Sequence, residues 1–357
     1  PMLRPAALPK VITLLTIATV ANASLAQAQS ERSVMRGSSV ALYNIAGRLT
    51  VEAGSGSDVV IEVTRRGRDA SRLRIETGER DGRNALRVLY PDDDIVYTDR
   101  ESRWGRTELR VHADGTWGGD RRWNEGRRVR VSSRGSGTEA WADIRVLVPA
   151  GKSFDAHLGV GEMTATNVRG SLRLDSGSGR LTATGIRGTL SVDVGSGGAD
   201  VRDVDVDLLD IDSGSGGIRL TDVVAGRCNI DSGSGGVTGE HAACRELHVD
   251  VGSGGVRVAD IKSNTVRIDA GSGAVQLSMN DSPSDVSIES GSGGVVLGLP
   301  ASLSAELDIE TGSGSIDSDF PVRMNRMERH RLRGTVGEGA GRIRIETGSG
   351  SVKLRKN

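Results

Sequence analysis

The chain has 357 residues, with 50 Gly, only nine aromatics, and 46 basic against 47 acidic side chains. This glycine excess lacks a Gly-X-Y period, which excludes collagen, and the abundant Val, Leu and Ile exclude a wholly disordered chain. A formal net charge of −1 gives no bulk reason to expect nucleic acid, and two Cys cannot build a disulfide framework.

Residues 1–28 read as a targeting segment (signal peptide). Arg4 and Lys10 form a positive region before an apolar run over 11–20, and Ala26-Gln27-Ala28 supplies a small-residue cleavage signal, with Ala21-Asn22-Ala23 as a second candidate. The run is short for a bilayer span and no other long apolar stretch follows, so no transmembrane segment is expected. These features predict an exported protein, periplasmic or at the cell surface or secreted.

Residues 29–91 read as an N-terminal cap with the first imperfect coils, carried by short strands such as 49–52 and 59–63. Residues 92–140 interrupt the pattern with Trp104, Trp117, Trp123 and many Arg. Residues 141–357 carry a repeat. Gly-Ser-Gly recurs with first glycines at 177, 195, 214, 233, 252, 271, 291 and 312, spaced 18 to 21 residues apart, and again at 348. Three residues before each first glycine stand Leu174, Val192, Ile211, Ile230, Val249, Ile268, Ile288, Ile309 and Ile345. Alternate positions on both sides of the glycines are apolar, the period of a half-buried strand.

Nineteen residues cannot close a core alone, whereas stacked copies bury a continuous aliphatic column. The expected fold is therefore all-β, a single parallel β-solenoid (β-helix) of about 19 residues per coil. Right-handed winding is favoured by the crossover rule. Glycine at each corner is expected to supply positive φ and to let backbones stack without a Cβ clash. The last coil, over 342–357, is expected to close the end with Lys353, Arg355 and Lys356, after a basic excursion at 319–341.

Three stretches carry a resemblance. They are Gly47-x-Leu49-x-Val51-Glu52-x-Gly54-Ser55-Gly56, Val146-Leu147-Val148-Pro149-Ala150-Gly151, and the closing Ile345-Glu346-Thr347-Gly348-Ser349-Gly350-Ser351-Val352-Lys353-Leu354. With the array between them, the chain resembles the bacterial adhesin-like β-strand-repeat family of unknown function. The resemblance covers most of 40–357 and implies an exported β-solenoid with an adhesive role. It carries no catalytic or binding residues.

Two residues before each glycine runs a ladder of acids, Asp175, Asp193, Asp212, Asp231, Asp250, Asp269, Glu289, Glu310 and Glu346. One reading is a row of Ca²⁺ sites. The other, preferred because the spacing does not match the nine-residue Ca²⁺ repeat, has each carboxylate accept N–H bonds from its corner. The serine between the glycines is too repetitive for a nucleophile. Cys228, His241, Cys244 and His248 invite zinc, but the register turns Cys228 inward and His248 outward, so no metal and no cofactor are expected. A Cys228–Cys244 disulfide suits an exported chain and requires a bend between residues 244 and 247.

The segment 100–134 is the main functional candidate. It holds ten Arg against five acids, and 10 − 5 gives a local charge of +5. Trp faces stack on sugars and Arg grips anionic groups. Trp104, Trp117, Trp123, Arg121, Arg122, Arg127 and Arg128 are thus the candidate ligand-binding residues, for an anionic envelope polysaccharide. The competing reading is a hairpin whose tryptophans lie back on the solenoid. The whole reads as a non-enzymatic adhesin-like or scaffold module, with another surface protein or end-to-end self-association as further partners. The alternative is a glycan-active β-helix enzyme, a lyase or hydrolase, against which the uniformity of the acid ladder argues.

Overall fold

The computed structural model describes residues 30–98, 105–118, 126–328 and 330–357. The targeting segment at 1–28 lies outside them. Among the described residues the fold is all-β: 26 strands join one continuous sheet and three form a small second one, with no α-helix.

The repeat sets the register. Leu174 lies beside Val192, Val192 beside Ile211, Ile211 beside Ile230 and Ile230 beside Val249, in parallel strands one coil apart. The second inward row, from Leu172 and Leu190 through Leu209, Cys228 and Leu247, runs alongside, and both rows are buried. Each such aliphatic side chain removed from water contributes about 1.5–3 kcal/mol. A slip of one residue would turn both rows outward, so the pairing is strongly specified.

The corners depart from one expectation. From Gly195 onward no corner glycine takes positive φ. Space is the reason for glycine there. A Cβ on Gly216 would lie 1.5 Å from the carbonyl oxygen of Gly197, and one on Gly197 would lie 1.5 Å from that of Gly179. Left-handed backbone occurs at a different corner, at Asn167, Gly185, Asp203, Asp222, His241 and Asp260, one per coil. Asp, Asn and His are the non-glycine residues that tolerate it best.

The sheet is mixed, which corrects a single, wholly parallel solenoid. Ser39–Ala46 and Leu49–Gly54 pair with Lys152–Val160 and Met163–Thr166, so the chain makes an excursion over 55–151 between two adjacent coils. Within it, Arg83–Leu89 and Trp141–Pro149 extend the stack as parallel partners of Ser39–Ala46 and Leu49–Gly54. At this end Ser30–Met35 runs antiparallel to Val59–Arg66, Val59–Arg66 to Trp141–Pro149, and Arg74–Arg80 to Arg83–Leu89.

The other end is rearranged as well. Gly341–Thr347 lies between Asp285–Ser290 and Ala305–Thr311, and Val352–Lys356 lies between Val295–Leu299 and Ile316–Ser318. The last coil in sequence is thus the penultimate coil in space. Lys353, Arg355 and Lys356 do not close an open end. Arg355 bonds Asp317 at 2.6 Å and Asp319 at 3.0 Å, and Lys356 sits 5.5 Å over the Phe320 ring. The end is closed by the hairpin of Arg323–Glu328 and Arg331–Val336, laid antiparallel on Ala305–Thr311. Its outer strand carries Arg323 and Glu328, and an outer strand at the opposite end carries Arg74, Glu76, Glu79 and Arg80. Charged edges of this kind oppose end-to-end pairing.

Candidate binding face

Part of the excursion forms the small sheet. Asp94–Val96 runs parallel, and Arg106–Val111 antiparallel, to Arg127–Ser132. Alternation buries Val111, Val129 and Val131 and leaves Arg106, Glu108, Arg110, Arg128 and Arg130 exposed. In this register Glu108 stands opposite Arg130, and Arg110 opposite Arg128. Glu108 reaches Arg128 at 3.5 Å and Arg130 at 3.7 Å, and Asp94 reaches Arg130 at 3.2 Å. Four guanidinium groups therefore share a face with two carboxylates.

Apolar contacts and one stacked column hold this sheet to the coils. Leu109 lies over the bare backbones of Gly159 and Gly177, where a Cβ on either would meet its methyls at 2.3 and 3.2 Å. Trp117 is buried edge-on against Tyr43, with ring centroids 5.5 Å apart, and 6.5 Å from His157. Tyr43 and His157 stack at 4.4 Å. Arg87, Tyr43, His157 and Asp175 stand in register on successive strands, so the acid ladder begins at an aromatic and cationic cap. Arg87 donates from Nη1 to the Asp114 carbonyl at 2.7 Å, and His157 Nδ1 lies 2.8 Å from Asp175.

Among the described residues the ladder carboxylates accept no corner N–H bonds, contrary to the expected Asx-type arrangement. Those donors serve the neighbouring coil instead: Gly195 donates to the Ser176 carbonyl at 2.9 Å and Ser196 to that of Gly177 at 3.2 Å. Burial, then the like charges of Asp175 and Asp212, push the Asp193 carboxyl up to about 6. Among the described residues, no group of three or more His, Cys, Asp or Glu is placed to hold a metal ion.

Of the candidate ligand residues, Trp104, Arg121, Arg122 and Trp123 lie outside the described residues. Trp117 is an anchor, since its buried ring offers no open platform for a sugar. Arg127 is held by Asp93 at 2.6 Å and the Tyr90 carbonyl at 2.9 Å. Arg128 lies on the exposed face. Arg106, Arg110 and Arg130 join it there; the Arg-Val-Arg-Val alternation at 128–131 was the available signal for that grouping. Cys228 and Cys244 form a disulfide with Cα atoms 5.9 Å apart, so neither is available to zinc. His241 sits between Asp222 and Asp260, at 3.1 and 3.4 Å.

The model of the family described as Toastrack DUF4097 matches residues 142–355. No curated protein matches. A solved structure, a "putative cell adhesion protein" from Clostridium sporogenes ATCC 15579, is 12% identical over 93% of this chain and 100% of that one. Its TM-score is 0.23, too low to argue from.

Proposed function

Taking as premise that the chain belongs to the Toastrack DUF4097 family, we propose that it is an exported, non-enzymatic envelope module that binds anionic glycan. In this reading the array is a right-handed stack of coils of about 19 residues that serves as a rigid support. The small sheet is its binding surface. The observation that carries the reading is one exposed face on which Arg106, Arg110, Arg128 and Arg130 stand with the carboxylates of Glu108 and Asp94. An excess of guanidinium groups on one face favours a bound carboxylate or phosphate.

The test is binding of the full chain to polygalacturonate and to neutral dextran at two salt concentrations. Salt-sensitive binding to the anionic polymer alone, weakened in Arg110→Ser/Arg128→Ser, supports the reading; equal binding of both polymers refutes it.

A glycan-cleaving reading has one observation in its favour, Asp193, whose raised carboxyl stands between two others. Release of reducing ends from polygalacturonate, lost in Asp193→Asn, would replace binding with catalysis.

A further inference from the structure

We propose a second anion site, in the groove that runs along the glycine corners beside the small sheet, shaped for an anionic glycan chain lying along the stack. The proposal rests on the glycan reading above. The groove measures about 690 Å³ and opens beside Gly105, which immediately precedes the Arg106–Val111 strand of the small sheet. Its floor is glycine backbone. A Cβ on Gly198 would meet the Gly217 carbonyl oxygen at 3.3 Å and one on Gly217 the Gly236 carbonyl oxygen at 3.6 Å, so the floor is bare backbone with room for little more than glycine at 198.

Unused donors mark this floor. In each coil the corner N–H groups on either side are committed: Gly195, Ser196 and Ala199, then Gly214, Ser215 and Ile218, all donate to a neighbouring coil. The N–H groups of Gly197, Gly198, Gly216 and Gly217, between them, donate to no protein atom among the described residues. Backbone donors left in this state must meet water or a ligand, and successive free N–H groups favour an anion.

The side chains around the floor have the same preference. Arg180 and Arg219 are exposed at the groove and make no ion pair among the described residues. The groove's carboxylate, Asp200, is already held by Arg202, whose Nε lies 2.6 Å from it. The lining therefore carries two uncompensated positive charges. Ser178 and Ser196, with hydroxyls 3.2 Å apart, line its edge and suit a polyhydroxylated chain. The same donors recur at each coil, about 4.8 Å apart, so an extended polymer is held better than a single ion. On the far side of the corner the acid ladder repels such a chain and confines it to the groove.

Titration of the ¹⁵N-labelled full chain with oligogalacturonate tests this directly. The amide signals of Gly197, Gly198, Gly216 and Gly217 should move on binding. Arg180→Ser/Arg219→Ser should weaken the binding that moves them by about tenfold, while Arg110→Ser/Arg128→Ser should leave those four signals responsive. If only signals of the small sheet move, the groove is refuted and the glycan reading stands. If no signal moves, both fail. If polyphosphate moves the four signals and oligogalacturonate does not, the site takes phosphate and the glycan assignment is overturned.

Discussion

Arg110 faces Arg128 across the antiparallel pair of the small sheet, both on the exposed side. Both therefore add positive charge to one face, which favours an anionic ligand. Arg110→Glu places a carboxylate opposite Arg128. It should change stability by no more than about 0.5 kcal/mol while weakening salt-sensitive glycan binding. Thermal unfolding and binding measured on the same sample separate the two effects; a variant that loses both stability and binding would contradict this account.

Asp193 makes stability depend on pH. Its carboxyl is raised from 3.8 to about 6, by burial first and then by Asp175 and Asp212. The native state holds this proton more tightly than the unfolded chain, so the contribution is most favourable below about pH 4. It declines as pH rises toward 6 and is constant above. Asp193→Asn should stabilise the protein by on the order of 1 kcal/mol at pH 7.5, allowing for partial exposure, and by progressively less toward pH 4. A gain that is the same at both pH values would show that charge is not the cause.

Two adjacent glycines should respond oppositely to alanine. A Cβ at Gly216 meets the Gly197 carbonyl oxygen at 1.5 Å, whereas at Gly217 the nearest atom is 3.6 Å away. Gly216→Ala should cost several kcal/mol or prevent folding. Gly217→Ala should be neutral or gain up to about 1 kcal/mol by restricting the unfolded chain. Denaturant midpoints of the pair decide the matter, and similar losses in both would show that backbone freedom rather than space governs the corner.

Ile345 lies close to the C-terminus, where chain ends usually fray. Here it is fully buried, with Ile288 on one side and Ile309 on the other. Ile345→Ala should cost about 2–5 kcal/mol, as in a central core position. Hydrogen exchange should show the amides of Gly341–Thr347 protected as well as those of Asp285–Ser290. Rapid exchange confined to the terminal coil would contradict the insertion.

The coil was predictable from sequence because a two-residue alternation interrupted by Gly-Ser-Gly every 19 residues has one economical solution, a stack with its aliphatic face inward. The inward rows, the Gly-Ser-Gly corners and the acid ladder were all read from that period. The candidate face was only partly read. The Arg-rich composition of 92–140 was evident, but Arg127 and Arg128 are adjacent in sequence and part ways in space, one tied to Asp93 and the other opposite Arg110. Trp117, chosen as a sugar platform, is instead the ring that seats the small sheet on Tyr43 and His157.

Repeat register says which residues share a column and nothing about which coil lies next to which. Glu346 matches Glu289 and Glu310 equally well, so placing the C-terminal coil between them rather than beyond them leaves every column intact. Sequence alone therefore determined the cross-section of this protein: its inward rows, its bare corners and its carboxylate column. The tertiary structure decided the order of the coils, the antiparallel closure of both ends and the seating of the small sheet. Those choices depend on which strand edges remain unpaired, a property of the assembled sheet that no single repeat encodes.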